Sequence, residues 1–552
     1  TGDNNVAVGF EALKTEDANG NNTAIGYQAL KTLNAGADSE TTAIGYLAGT
    51  SLTTGVENVL IGGRAGDALT DADYNIAIGK GSLTSDTKGS KSVAVGYQTL
   101  VNQNFTTSTD SHNTAVGFEA GNDITTGRFN NLFGSLAGDA LTTGEKNVAI
   151  GVNALGSDTT GGRTVAIGQG ALTTQNHTDG TTTYNVAVGY ESGAAVTTGV
   201  QNVLIGGLAG DAITTGNSNV SVGHSSLSAN TASHRNTAIG EFALSALNIT
   251  TSTNAYNTAL GYQAGAGVTT GVENVLIGGL AGDAITDADY NVAVGGQAMG
   301  DNTVGSKSVA VGYIALTSQN PATATDMYNT AVGYQAGAGV TTGTHNTLLG
   351  GLSGDALTTS TRNTALGYGT LSADTLGSHS TAVGNLALVN QNFTTATDVY
   401  NTAVGSSAGQ EITTGTQNTL IGGLTGDALT TGALNVAVGY GALTSDDLGS
   451  KSVALGHSTL ANQNYATATD SFNTAIGHSA GSAVTTATDN TLIGALAGDA
   501  LTTGSLNVAL GKNALGSDTK GSRSTALGRF ALGTQNFTTA TETYNIAVGY
   551  SA

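Results

Sequence analysis

Short apolar runs bounded by a polar residue and a glycine recur along the whole chain, as in Asn5-Val6-Ala7-Val8-Gly9, Asn58-Val59-Leu60-Ile61-Gly62 and Asn545-Ile546-Ala547-Val548-Gly549. The phrase occurs 31 times in 552 residues. Its closing glycines fall at 9, 26 and 45 and then advance by 17, 17, 17 and 21 residues. The resulting super-repeat of 72 residues places equivalent glycines at 45, 117, 189, 261, 333, 405, 477 and 549. A fixed short period predicts a solenoid, in which one coil cannot bury its apolar face alone and stacks on its neighbours.

Numbering each coil from its closing glycine, position −4 is Asn in 24 coils and Ser or Thr in the other seven. Position −3 is Val, Thr or Ile except at Asn131, and position −1 is Val, Ile or Leu except at Phe133. Ala stands between them in most coils and Leu in every fourth. Branched residues in a short run flanked by Asn and Gly predict a strand. Side chains at −3 and −1 point to one face and that at −2 to the other. Both faces are apolar, as in strands covered on two sides. One face is expected to line the coil interior and the other to meet a second copy of the chain. The −3 and −1 face is taken as the interior. On that assignment Ile277→Asp disrupts its coil through a buried carboxylate, whereas replacing Glu273 in the preceding turn matters little.

After the glycine, which tolerates positive φ, a second short segment such as Tyr97-Gln98-Thr99-Leu100 leads to a Thr-Thr-Gly or Asp-Thr-Lys-Gly turn. The Asn column at −4 is expected to form a ladder along one edge, amide to amide. Four coil types alternate. The first carries Gly at +4, the second reads Leu-Ile-Gly-Gly-Leu-Ala-Gly-Asp as in Leu276 to Asp283, and the third and fourth carry Leu or Met at +4. The fourth is longer by four residues, in excursions beginning Asn-Gln-Asn-Phe at 102 and recurring at 174, 246, 318, 390, 462 and 534. The expected fold is therefore all-β, a parallel β-solenoid of 31 coils of 17/17/17/21 residues. At roughly 4.8 Å per coil the stack would reach roughly 150 Å. Residues 1–552 form one continuous repeat domain on this reading, with super-repeats from about residue 41 to 549.

Composition narrows the function. The chain carries 39 acids and 17 bases, a formal net charge of −22, with no basic cluster. Phosphate-backbone binding needs Lys and Arg, so nucleic acid is not an expected partner. The absence of Cys excludes disulfides, thiolate metal sites and Cys nucleophiles. Apolar runs are far shorter than the roughly 20 residues of a membrane-spanning helix, so no membrane insertion is expected. The chain opens on Thr1 without a signal-like segment, and a piece of a longer fibre is expected.

Candidate chemistry is sparse. The histidines at 112, 177, 224, 234, 345, 379, 457 and 478 show no paired metal-ligand spacing. Asp71-Ala72-Asp73-Tyr74-Asn75, repeated at 287 to 291, starts like a calcium loop but lacks the glycine at the sixth place and the acid at the twelfth. Gly300 to Ser308 has one residue too many for a phosphate loop. An Asp column at 67, 139, 211, 283, 355, 427 and 499 reads as structural. No catalytic set, cofactor or metal is expected, and the chain is not expected to be an enzyme. If it binds a ligand, contact is expected at the fourth-coil excursions, at Phe105, His177, Phe393, Tyr465 and Phe537. Aromatic faces there could stack on a sugar; the alternative is that these loops pack on adjacent coils or lock neighbouring chains.

At Asn22-Thr23-Ala24-Ile25-Gly26-Tyr27-Gln28-Ala29-Leu30 and its relatives, the whole chain resembles the head repeats of trimeric autotransporter adhesins. It is still more similar to the related repeats of bacteriophage tail fibres. The resemblance implies a left-handed parallel β-roll with three chains around one axis, although the coils here are longer than that family's. It also implies an extracellular location, on a virion tail fibre or a bacterial surface. The expected function is a structural shaft or spacer in a homotrimeric rod that presents a receptor-binding region for host or surface attachment. The alternatives are an adhesin head that contacts a host-surface glycan or protein through repeated loops, and an ice- or crystal-binding solenoid suggested by the Thr pairs. The last is disfavoured because those pairs do not recur on every coil.

Overall fold

The computed structural model describes residues 3–17 and 20–552. The chain divides into two compact units, Thr1–Glu273 and Asn274–Ala552. The first carries 15 three-residue strands, from Val6–Val8 to Thr258–Leu260, and the second 16, from Val275–Ile277 to Ile546–Val548. Among the described residues there is no helix. Within each unit every strand pairs in parallel with the equivalent strand of the next coil, residue for residue. Val59, Leu60 and Ile61, for example, stand opposite Ile76, Ala77 and Ile78. Each unit is thus an all-β parallel solenoid, as the period requires.

The interior lies on the opposite side of the strand from the one expected. Position −2 is fully buried, as at Leu60, Ala77, Ala94 and Leu276, while −3 and −1 are partly or largely exposed. Ile277 is therefore not a core residue; its neighbour Leu276 is. The reason is volume. The coil is thin, and the space behind the strand is shared with side chains at +4 and +7. In the third and fourth coils, where −2 is Ala as at Ala77 and Ala94, a buried leucine stands at +4 (Leu83, Leu100). Where −2 is Leu, +4 is Gly on the same coil and on the one before it. A Cβ on Gly49 would lie 2.7 Å from Leu60 Cδ1, and one on Gly66 would lie 2.9 Å from Leu60 Cδ2. Coils with Gly at +4 then fill +7 with Leu52, Leu69 or Ile124, whereas coils with Leu at +4 place Asp86 or Gln103 there. Close packing of this kind leaves no room for a branched −1 side chain.

The segment after the closing glycine is not a strand. Non-glycine residues at +2 and +4 adopt left-handed backbone, with φ 51° at both Gln98 and Leu100. Such geometry costs about 1–2 kcal/mol per residue. It turns successive N–H groups alternately toward the coils on either side. Gln98 N donates to Lys80 O at 3.0 Å and Leu100 N to Ala120 O at 3.1 Å, so backbone groups outside the sheet are paired between coils. At the closing position only glycine fits: a Cβ on Gly295, with φ +133°, would sit 2.4 Å from Gly312 O.

The Asn ladder exists but runs inside, and its main bonds are side chain to backbone. Asn75 Oδ1 accepts from Ser92 N at 2.8 Å, and Asn75 Nδ2 donates to Gly89 O at 2.9 Å. Asn75 thereby ties its strand entry both to the next strand entry and to the next coil's turn, and Asn58, Asn130 and Asn147 repeat the pattern. Both polar atoms of the buried amide are engaged, which is what makes its burial tolerable.

Candidate functional site

The fourth-coil excursions add a second, short pairing. Gly305–Ser306 pairs with Thr325–Asp326, and the same two-residue bridge recurs at Gly89–Ser90 with Thr109–Asp110 and at three further places. The excursion folds back over a buried polar cluster. Asp86 Oδ1 accepts from the backbone N–H of Gly89 and of Phe105, both at 3.0 Å. Its Oδ2 accepts from Gln103 Nε2 at 2.6 Å. Gln103 also donates to Ser92 Oγ at 2.9 Å, and its Oε1 accepts from Asn113 Nδ2 at 2.8 Å. The cluster recurs at Asp158, Asp374, Asp446 and Asp518 with Gln175, Gln391, Gln463 and Gln535. Desolvation pushes the Asp446 carboxyl up to about 6, against the lowering effect of hydrogen bonds from Gln463 and Gly449. Desolvation likewise raises Asp374.

The five expected contact residues belong to this cluster and do not present ring faces. Phe105, His177, Phe393 and Tyr465 are buried, with 4–6% exposure, and Phe537 is half-buried. Phe105 lies against Gly89, where an added Cβ would come within 2.7 Å of its ring. The Tyr465 hydroxyl donates to Ala487 O and accepts from Asn473 Nδ2, and burial raises its pKa. Burial of Phe105, His177, Phe393 and Tyr465 favours the packing alternative over stacking platforms at those four residues.

Other sequence candidates are absorbed by the scaffold. Asp73 Oδ1 accepts from Val56 N at 2.8 Å, and Asp71 pairs with Lys88 at 3.6 Å. Among the described residues, no three His, Asp or Glu side chains gather as a metal site would require. The Thr pairs are also engaged. Thr53, Thr70, Thr142 and Thr214 hydroxyls donate to carbonyls of the next coil at 2.9–3.0 Å. Half-burial raises the carboxyl pKa of Asp67, Asp139, Asp211, Asp283 and Asp499 in the Asp column.

Apart from Phe133 at −1, the exposed aromatic side chains stand instead in two columns, at −5 and +1. In the −5 column, fourth-coil cations sit over first-coil rings: Lys307 Nζ lies 5.5 Å from the Tyr328 centroid and 2.6 Å from Asp326 Oδ2. Lys451 over Phe472 and Arg523 over Tyr544 repeat the arrangement. In the +1 column rings stack from coil to coil, Tyr27 on Tyr46 at 5.5 Å and Tyr97 on Phe118 at 5.4 Å. Between those two stacks Gly63 and Lys80 occupy the column, leaving a notch of about 650 Å³ lined by Tyr46, Gly63, Arg64, Lys80, Tyr97 and Gln98 among others. A tyrosine or cation at these two positions is visible in the sequence, but their columnar stacking follows only from the coil register.

Comparison of the chain with protein-family models gives no match, and neither does comparison with curated proteins.

Proposed function

We propose that this chain is a structural segment, a shaft or spacer, of an extracellular homotrimeric fibre on a virion or bacterial surface, holding a receptor-binding region away from its anchor. The observation that carries the reading is the outward strand face. Apolar side chains at −3 and −1 stay open to solvent coil after coil, among them Ile76, Ile150, Ile205 and Leu260 in the first unit and Leu366, Ile421, Val436 and Leu510 in the second, at 37–46% exposure. A monomeric protein rarely exposes so continuous an apolar strip, and such strips mark association surfaces. A second copy offers the same strip in the same register, so the identical face can close a cyclic assembly. The resemblance to adhesin-head and tail-fibre repeats supports three copies. Continuous inter-coil hydrogen bonding suits a stiff spacer.

Sedimentation equilibrium tests the assembly. The expected mass is three times the 54.3 kDa of one chain, and Val436→Asp, on the outward face, is expected to shift it toward one chain. A single-chain mass at every concentration refutes the trimer. Direct adhesion through the fourth-coil loops has less support, since their rings are turned inward.

A further inference from the structure

The notch at Gly63 is a local departure from the repeat. We infer that it is a binding site for an acidic sugar residue, a carboxylated pyranose at the end or side of a glycan. Four observations lead there. The first is shape. A Cβ added to Gly63 meets nothing within 4 Å, as at Gly279, where Gly296 follows and no cation stands; at Gly207, Gly351 and Gly423, the same position of other super-repeats, a ring from the next coil lies 3.5–3.7 Å away. The column is therefore open only where no ring closes it, and its volume of about 650 Å³ falls within the roughly 300–1,000 Å³ of small-ligand sites.

The second observation is the walls. Tyr46 and Tyr97, 53% and 41% exposed, bound the notch along the stack, and each is held by a second ring behind it. Two coil steps, roughly 9.6 Å, separate Tyr46 from Lys80, enough for one pyranose to lay its C–H face on the tyrosine ring. The third is charge. Arg64 and Lys80 line the notch on a chain of net charge −22. Both are exposed, and Lys80 Nζ leans to 5.9 Å from the Tyr97 centroid. Two cations beside an aromatic wall suit a carboxylate on an otherwise hydroxylated ring, and the Gln98 amide is placed to meet hydroxyls. The fourth is singularity. Every other super-repeat places leucine at the Arg64 position, as at Leu136, Leu208 and Leu352; the Lys80 position, elsewhere Val152, His224 or Tyr368, carries lysine again at Lys512, but there it follows Leu496 rather than an arginine.

Saturation-transfer NMR on the full chain tests it, with methyl glucuronide as the probe and methyl glucoside as its neutral counterpart. Transfer to the glucuronide ring protons is expected, with binding about tenfold weaker for the glucoside and weakened by salt. Arg64→Leu with Lys80→Val, residues the repeat already uses at those places, is expected to remove the preference for charge while the circular dichroism stays unchanged. Gly63→Tyr, which continues the tyrosine stack through the notch, is expected to remove binding of both sugars. Equal binding of the two sugars, an unaltered double variant, or no transfer to glucuronide with the unsubstituted chain each overturns the assignment.

Discussion

The volume match between positions −2 and +4 makes a quantitative prediction at Leu276 and Gly282. Leu276 is fully buried, and its truncation to Ala leaves a cavity that neighbouring coils, fixed by their own hydrogen bonds, cannot close; the expected loss is about 2.7–5 kcal/mol. Gly282 has φ +55°, and a Cβ there would lie 2.8 Å from both Leu276 Cδ2 and Ile285 Cδ1. Gly282→Ala alone therefore combines about 1–2 kcal/mol of left-handed strain with about 1–3 kcal/mol of crowding. In the Leu276→Ala background half of the crowding disappears. The double variant is then expected to be more stable than the sum of the single losses by about 0.5–1.5 kcal/mol. Ile277→Ala, on the outward side of the same strand, is expected to cost less than Leu276→Ala. A long repeat array need not unfold in one step, so the measurement is local: hydrogen exchange of the Val275 and Gly295 amides, which donate to Asn291 O and Ile277 O across the coil junctions. Strict additivity of Leu276→Ala and Gly282→Ala would refute the shared volume. A larger loss at Ile277 than at Leu276 would refute the assignment of the interior.

Two further outcomes follow from the polar interior. The Asp446 carboxyl, at about 6 in the folded chain against 3.8 for an unburied Asp, stabilises the fold fully below about pH 4, and that contribution, about 2–3 kcal/mol, is lost as pH rises through 6. Urea midpoints of Asp446→Asn and the unsubstituted chain should therefore differ between pH 4 and pH 7, the variant lacking that slope; an equal difference at both pH values would exclude it. Asn75→Ala strips buried partners from Ser92 N and Gly89 O, at about 1–3 kcal/mol for each orphaned group. Hydrogen exchange at Ser92 is expected to accelerate accordingly, and a change below about tenfold would contradict the ladder's role.

The coil and its register were legible in the sequence because glycine and asparagine mark every turn at constant spacing. The side facing inward was misread at Ile277. Branched residues at −3 and −1 look like core, and Ala at −2 looks too small to be one. The information was nonetheless present: Leu at −2 always accompanies Gly at +4, and side chains that trade volume share a space. The buried pair was equally encoded. Where Asp becomes Asn230, Gln becomes Leu247 seventeen residues on. Where Asn302 keeps Gln319, the Gln319 Nε2 atom has no hydrogen-bond partner. For Phe105 the sequence left ligand contact and packing as alternatives, because a loop aromatic gives no sign of its direction; the Gly89 gap beneath it does. At the notch, Arg64 breaks a leucine column that the sequence displays. Its meaning needs Tyr46 and Tyr97, which the register brings to the same column.

The Leu–Gly complementarity also sets how such a gene can change length. Excising the 17 residues from Gly62 to Ile78 would press Leu83 against Leu60, where Gly66 now stands. Removing the coil that begins at Gly79 would take Asp86 away from Gln103. Only the 72-residue block returns every side chain to a neighbour of matching size and polarity. Unequal recombination among these equivalent blocks would then be tolerated in whole steps of four coils, about 19 Å of stack each. Reach is adjustable by a ruler whose divisions are written into the core.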